Sequence, residues 1–93
     1  MKNINYYNNS VVNGYYDIIF RRKKGIQCAW HHIKFNYIKR KISKTNIHLD
    51  IGCGPGTFLS ILKKKSIGID IAHNQIKYAK KKICKQKHKI FNL

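Results

Sequence analysis

The stretch HLDIGCGPGT, His48 to Thr57, contains three glycines and the only proline of the 93-residue chain, directly behind a short apolar run. Gly52, Gly54 and Gly56 remove the Cβ atom from alternate positions of a turn, so a ligand can lie directly against the main chain. The preceding run, IHLDI, has strand length and is interrupted by the glycines. The stretch therefore predicts a strand that leads into a ligand-binding glycine turn.

The residues after the turn predict an alternation of helices and strands. TFLSILKKK from Thr57 is typical of a helix, SIGIDI of a second strand, residues from about Asn74 to Cys84 of a further helix, and HKIFNL of the start of a third strand. This order predicts an α/β fold with parallel strands joined by right-handed crossovers. Ligands bind beyond the carboxyl ends of such strands, so the glycine turn and Asp70 are expected to share one rim.

The residues before the turn predict a helix and an irregular arm. Lys and Arg occupy one side of the helix predicted between Ile26 and Ile42. Four apolar residues recur at helical spacing on its other side: Ile26, Trp30, Ile33 and Tyr37. Of these, Trp30 and Tyr37 are expected to be packing residues and not to stack on bases. Residues 1–16 show no period and are predicted to form a loosely ordered arm, with residues 17–93 as the domain.

Two common nucleotide motifs do not fit the glycine turn. A P-loop requires Gly-Lys-Ser/Thr at the end of the turn, which is not there. A dinucleotide fingerprint requires a glycine where Thr57 stands when counted from Gly52, or where Leu59 stands when counted from Gly54. What fits is an acid, three alternate glycines, and Asp70 at the separation from Asp50 that suits a carboxylate on ribose hydroxyls.

The two segments LDIGCGPGTFLSIL and SIGIDIAHNQIKYAKKK resemble the first two motifs of the class I S-adenosylmethionine-dependent methyltransferases. The resemblance covers about half of the chain, from Ile47 to Lys82. It implies a partial Rossmann-like methyltransferase fold and S-adenosylmethionine as the cofactor. It also implies transfer of a methyl group to an acceptor that the sequence does not identify.

The resemblance implies a cofactor-binding set as well: Asp50, Gly52, Cys53, Gly54, Gly56, Asp70 and Ile71. In this set the three glycines lie along the methionine part, Asp50 orients its amino group, Asp70 holds the ribose hydroxyls and Ile71 lies against the adenine. The family often has a helix-capping hydroxyl where this chain has Ala72, so Asn74 is expected to cap the helix instead.

The charge of the chain leaves two classes of function open. Twenty Lys and Arg residues stand against three acids, which gives a formal net charge of +17. Such a charge repels a cationic cofactor at long range, so the local carboxylates Asp50 and Asp70 must reverse the field at the site. The same charge favours anionic partners, including RNA, and the alternative functions are a basic nucleic-acid-binding module without catalysis or an inactive truncated fragment.

Other reactive side chains give weaker signals. Cys28, Cys53 and Cys84 form neither a disulfide framework nor a C-x-x-C pair, which favours a reducing cytoplasm, and no apolar run is long enough for a membrane span. His31 and His32 are adjacent on a helix and point about 100° apart, so no metal site is predicted. Cys53 has no identifiable base and is not expected to be a nucleophile. Four tyrosines of the arm are candidates to cover the cofactor or the substrate: Tyr6, Tyr7, Tyr15 and Tyr16.

The resemblance also predicts that the chain is incomplete as an enzyme. A whole domain of this family has a seven-stranded sheet, whereas HKIFNL is only the start of a third strand. No catalytic residue can be named from the sequence. The first strand is expected to have a free edge, so a second polypeptide could complete the sheet there. We therefore expect this chain to be the N-terminal piece of a longer or split methyltransferase.

Overall fold

The structure, a computed structural model, describes residues 10–42, 44, 46–83 and 88–93. Seven elements follow one another in the described chain: α1 (Tyr15–Arg21), α2 (Ile26–Lys41), β1 (Ile47–Ile51), α3 (Thr57–Ser60), β2 (Lys65–Asp70), α4 (His73–Lys82) and β3 (His88–Asn92). The three strands form one parallel sheet in the order β1-β2-β3. The predicted α/β fold class and the three predicted strands are confirmed.

The register of the sheet brings the motif residues together. Asp50 of β1 lies opposite Gly68 of β2, and Asp70 at the end of β2 lies opposite Asn92 of β3. Because the strands are parallel, the glycine turn after β1 and the end of β2 lie at the same edge of the sheet. The predicted common rim is therefore present.

Helices cover one face of the sheet. The buried core consists of residues from the glycine turn, α3 and the turn that follows it, α4 and β3: Cys53, Phe58, Leu59, Leu62, Ile76, Ala79 and Ile90. Phe35, Ile38 and Ile42 at the inner side of α2 pack against this core. Even-numbered strand residues point to this face, among them the buried Ser66 and His88, whose side chains are hydrogen-bonded to each other.

The other face of the sheet is open among the described residues, and we refer to it as the open face. It carries Ile47, Leu49 and Ile51 of β1, which are 56%, 55% and 74% exposed, together with Phe91 of β3 at 50%. Parallel sheets are normally covered on both sides, because their strands are apolar on both faces. Among the strands that the structure describes, β1 pairs only with β2 and is an edge strand. The expected free edge of the first strand is thus present.

The prediction that Trp30 and Tyr37 of α2 are packing residues is wrong, and the apolar side to which they belong is an exposed outer stripe of the helix. The helix itself is present, but Ile26 is 89% exposed, Trp30 58%, Ile33 65% and Tyr37 54%, so none of the four packs in the core. The side that packs is the opposite one, which carries Cys28, Phe35 and Ile38. The spacing was misleading because α2 is apolar on two opposite sides, and both stripes have a helical period.

Two helix boundaries also differ from the predictions. The helix expected over TFLSILKKK ends at Ser60, because the N–H groups of Ile61 and Leu62 bond to the third residue before each and close the last turn tightly. The last helix begins at His73 with Ala72 at its N-cap, so Asn74 lies inside the first turn and does not occupy the N-cap position.

The N-terminal part of the described chain lies against α4. The N–H of Gly14 donates to Oε1 of Gln75 (2.9 Å), and Nε2 of Gln75 donates to the carbonyl of Val12 (3.1 Å). Helix α1 then begins at Tyr15, inside the segment expected to be an arm. Tyr6 and Tyr7 lie outside the described residues, and the domain boundary at residue 17 stays a prediction.

Candidate cofactor site

The backbone N–H groups of the glycine turn are hydrogen-bonded within the protein. The N–H groups of the turn donate to protein acceptors: Gly52 and Cys53 to the carbonyl of Ile69 (2.7 and 3.0 Å), Gly54 to Oδ2 of Asp70 (2.8 Å) and Gly56 to the carbonyl of Cys53 (3.0 Å). Pro55 has no N–H to offer. Phosphate-binding turns work in the opposite way, because they point free N–H groups at the anion. The turn is therefore poorly suited to a phosphate, as the missing Gly-Lys-Ser/Thr indicated.

The glycines of the turn divide into two groups. Gly52 and Gly54 have φ values of +78° and +56°, which favour glycine, and a Cβ atom added to either would meet no atom within 4 Å. Gly56 has a φ of +81°, but its missing side chain faces Ala79 and Ile83 at 3.3 and 3.4 Å. Gly52 and Gly54 thus present bare backbone to open space, whereas Gly56 lets the turn pack on α4.

Asp70 fastens the turn to the helix that follows it. Its Oδ2 accepts the Gly54 N–H, and its Oδ1 accepts the N–H of Ala72 (2.7 Å), the N-cap residue of α4. Hydrogen bonds to an ionised carboxylate are stronger than neutral ones. Each oxygen of the carboxylate can accept a second hydrogen bond, so ribose hydroxyls can still be bound. Asp70 thus fixes the residue before α4, whereas the N-cap residue Ala72 provides no side-chain capping hydrogen bond.

Asp50 is different, because its carboxylate accepts no hydrogen bond from the described residues. The side chain is half-buried beside the turn. Burial raises the pKa of Asp50, the nearby His48 opposes that effect, and the charge of Asp70 raises the pKa further. Burial disfavours the charged form of a carboxylate that lacks a hydrogen-bond donor, and a bound cation would offset that effect.

The two remaining members of the predicted set lie on opposite sides of the rim. Ile71 is 50% exposed next to Asp70 and offers an apolar surface. Cys53 points inward, where its Sγ is 2.8 Å from the position of a Cβ added to Gly68. Burial, with the charges of Asp50 and Asp70, raises the pKa of the Cys53 thiol to about 12. The thiol therefore stays protonated near neutral pH and is a poor nucleophile.

The two adjacent histidines have packing roles. His32 stacks on Phe20 with ring centroids 3.9 Å apart, and its Nε2 lies 3.0 Å from the Phe20 carbonyl oxygen. His31 lies against Phe35, and burial together with the charges of Lys34 and His32 lowers its pKa. Within the described ranges, no group of three or more His, Cys, Asp or Glu side chains is arranged to hold a metal ion. No described helix is long and apolar enough to cross a bilayer.

Comparison with known proteins identifies the family. Residues 42–93 match the family model of a methyltransferase domain, which is more than half of the chain. The chain belongs to this methyltransferase family. The resemblance to the class I S-adenosylmethionine-dependent enzymes is thereby confirmed. No curated protein sequence matches the chain.

A solved structure supports the fold of the methyltransferase domain. Magnesium protoporphyrin IX methyltransferase from Synechocystis PCC 6803, crystallised with bound SAH, superposes with a TM-score of 0.72 at 16% sequence identity. The match covers 96% of the present chain and 48% of that enzyme. The chain thus spans about half the length of this relative and has the same fold over that half.

One acid was not assigned from the sequence. Asp17 is only 1% exposed and accepts hydrogen bonds from Thr57, the residue that directly follows the glycine turn, and from Tyr78 of α4. A signal was present in the sequence, because Asp17 is one of only three acids and stands four residues before Arg21 on a helix.

Proposed function

We propose that this chain binds S-adenosylmethionine and forms the cofactor-binding half of a methyltransferase. The observation that carries the proposal is the carboxylate of Asp50, which is half-buried and has no hydrogen-bond donor among the described residues. It lies beside a turn whose own N–H groups are all hydrogen-bonded. Such a rim accepts hydrogen bonds and attracts positive charge. S-adenosylmethionine carries a sulfonium and an ammonium group against one carboxylate, so its net charge fits the rim.

The residues fit the parts of the cofactor one by one. Asp50 is placed to receive the ammonium group, and the bare backbone of Gly52 and Gly54 leaves room for the methionine chain. Asp70 has acceptor capacity left for the ribose hydroxyls, and Ile71 offers an apolar surface for the adenine. When bound, the cofactor supplies an activated methyl group, and the protein residues hold and orient it.

The first test is a calorimetric titration of the 93-residue chain with S-adenosylhomocysteine, which keeps the ammonium group but lacks the sulfonium charge. Saturable binding is expected, and Asp50→Asn should weaken it by about tenfold to a hundredfold, the range for a hydrogen bond to a charged group. Leu49→Asn is the matched control, because Leu49 is the neighbouring residue of β1 and points to the open face. A folded wild-type sample that binds neither S-adenosylhomocysteine nor S-adenosylmethionine would contradict the proposal.

Nucleic-acid binding is the second candidate, and the exposed stripe of α2 is the observation that favours it. Trp30 and Tyr37 are more than half exposed, and Lys41 lies 5.3 Å from the ring of Tyr37. Exposed aromatic rings beside cations can stack on the bases of a single strand. If this were the main activity, RNA affinity would fall steeply with salt, would drop in Trp30→Ala, and would be unchanged in Asp50→Asn.

The complete reaction requires the further strands that a whole domain of this family is expected to have. We assign their place to the free edge of β1, because that edge and the open face beside it are apolar and exposed. We further assign them to a second polypeptide that adds a parallel strand there. The charge of +17 favours an acidic partner over a second copy of this chain.

This assignment is tested by co-expression with the polypeptide encoded directly downstream, as a separate chain and as a fusion. A complex of the separate chains should slow amide exchange in β1 and tighten S-adenosylhomocysteine binding. If only the fusion does so, or neither does, the downstream polypeptide is excluded as a separate chain that occupies this edge. Leu49→Lys should prevent the complex while leaving the fold of the isolated chain unchanged, because Leu49 is exposed in it.

A further inference from the structure

The buried acid Asp17 connects three helices. Its carboxylate accepts hydrogen bonds from Oγ1 of Thr57 (2.8 Å), from the hydroxyl of Tyr78 (2.7 Å) and from Nε of Arg21 (3.0 and 3.1 Å to its two oxygens). Thr57 is the first residue of α3 and Tyr78 belongs to α4. Asp17 is 1% exposed, so these donors replace nearly all of its contact with water.

The Thr57 contact reaches the cofactor turn directly. Thr57 follows Gly56 in the chain, and α3 has only four residues, too few to be stable by its own backbone bonds. Arg21 holds the other end of the same turn of helix, because its terminal nitrogen donates to Oγ of Ser60 (3.1 Å). Asp17 and Arg21 of α1 therefore hold both ends of α3.

The glycine turn is thus fixed at two points by two different carboxylates. Asp70 binds the N–H of Gly54 on one side, and Asp17 binds the side chain of Thr57 on the other. Between these points lie Pro55 and Gly56, the latter with a left-handed backbone. The position of the Gly54 backbone depends on both hydrogen bonds. Glycine has more backbone freedom than other residues, so the segment between Gly54 and Thr57 can move if either bond is lost.

We propose that Asp17 is a positioning residue for the cofactor turn and acts through the hydroxyl of Thr57, which makes α1 part of the cofactor site. This inference rests on the proposed function. It predicts that the third acid of the chain serves the same site as Asp50 and Asp70 without touching the cofactor.

The start of α1 is also held by contacts that do not involve Asp17. The backbone of Val12 and Gly14 is hydrogen-bonded to Gln75, and Gly14 lies so close to α4 that an added Cβ would clash with the ring of Tyr78. Loss of the Asp17 carboxylate should therefore leave α1 in place and release the turn. This separates a positioning role from general support of the fold.

The test compares three variants that each change the Asp17 network: Asp17→Asn, Thr57→Val and Tyr78→Phe. Each is measured for stability by urea unfolding, for S-adenosylhomocysteine affinity by calorimetry, and for amide exchange at Gly54 and Gly56 without ligand. Tyr78→Phe is the matched control, because it removes one hydrogen bond to the same carboxylate on the side away from the turn.

Asp17→Asn and Thr57→Val should each weaken binding by about tenfold, the equivalent of one lost hydrogen bond, and the double variant should be no weaker than either single one. Both should speed amide exchange at Gly54 and Gly56, whereas Tyr78→Phe should change stability only. Affinity losses that follow stability equally in all three variants, or unchanged exchange in Thr57→Val, would overturn the inference. If the wild type binds no cofactor, the proposed function fails, and the exchange data still decide whether Asp17 positions the turn.

Discussion

Gly68→Ala is predicted to destabilise the fold and to displace the cofactor turn. A methyl group at this position of β2 would lie 2.6 Å from Cδ1 of Leu59, 2.8 Å from Sγ of Cys53 and 3.0 Å from its Cβ. Leu59 is completely buried, so it has little room to move away. Forcing a methyl group into a packed core typically costs about 1–3 kcal/mol.

The expected change is measurable in a chain of this size. A loss of about 2 kcal/mol lowers the midpoint of thermal unfolding by roughly 8–16 °C in a domain of 60–100 residues. The assay is thermal unfolding followed by far-ultraviolet circular dichroism. Cys53 is the neighbour on the cofactor turn, so the turn should shift outward and S-adenosylhomocysteine should bind more weakly.

A companion variant shows whether the clash is the cause. Cys53→Ala removes the Sγ atom that the new methyl group would meet. Gly68→Ala should therefore lower the thermal midpoint less in the Cys53→Ala background than in the wild type. A Gly68→Ala protein with the thermal midpoint of the wild type would refute the reasoning. An equal loss with and without the Sγ of Cys53 would show that Cys53 does not contribute to it.

Three further predictions concern ionisable groups of the site. The pKa of Asp50 is raised, and the neutral acid no longer attracts the ammonium group. The affinity for S-adenosylhomocysteine should therefore fall as the pH is lowered through that pKa. Calorimetry at several pH values should show no such fall for Asp50→Asn. Burial and the hydrogen bond to Asp17 raise the pKa of Tyr78 from 10.0 to about 12, so the stability that Tyr78 contributes should be fully present below pH 10 and lost as the pH rises through the folded-state pKa. The raised pKa of Cys53 lowers stability over the same range in every variant, so urea unfolding of Tyr78→Phe should show a smaller decline between pH 10 and 12 than the wild type. In a variant whose other two cysteines are replaced by serine, Cys53 should react with iodoacetamide at pH 8 about a thousandfold more slowly than a free thiol, because a pKa of about 12 leaves very little thiolate. A rate near that of a free thiol would contradict the burial of Cys53.

The sheet and the rim could be predicted from the sequence, because the patterns that indicate them lie in short stretches of neighbouring residues. The glycines and the strand lengths depend on neighbouring residues, and the parallel pairing then brings Asp50 and Asp70 to one edge. Trp30 and Tyr37 on the outer stripe of α2 were wrongly predicted to be packing residues, since periodicity shows that a helix has an apolar side but does not show which of two sides is covered.

Asp17 was missed for a different reason. Its partners Thr57 and Tyr78 lie 40 and 61 residues away in sequence, and only the packing of α1 on α3 and α4 brings them together. Its relation to Arg21 was visible, but an acid and a base four residues apart on a helix are usually an exposed pair. The separate roles of Gly52 and Gly56 also depend on the packed α4 and could not be read from alternate glycines.

The open face has a consequence for how copies of this chain behave towards one another. Ile47, Leu49 and Ile51 form an exposed apolar edge strand, the kind of surface along which β-sheets join. A charge of +17 on every copy opposes such contacts, but it acts only over the screening distance, which shrinks from about 30 Å at 0.01 M salt to about 8 Å at physiological ionic strength. The many lysines therefore keep copies apart by repulsion between like charges. Added salt screens that repulsion and should promote self-association of the isolated chain.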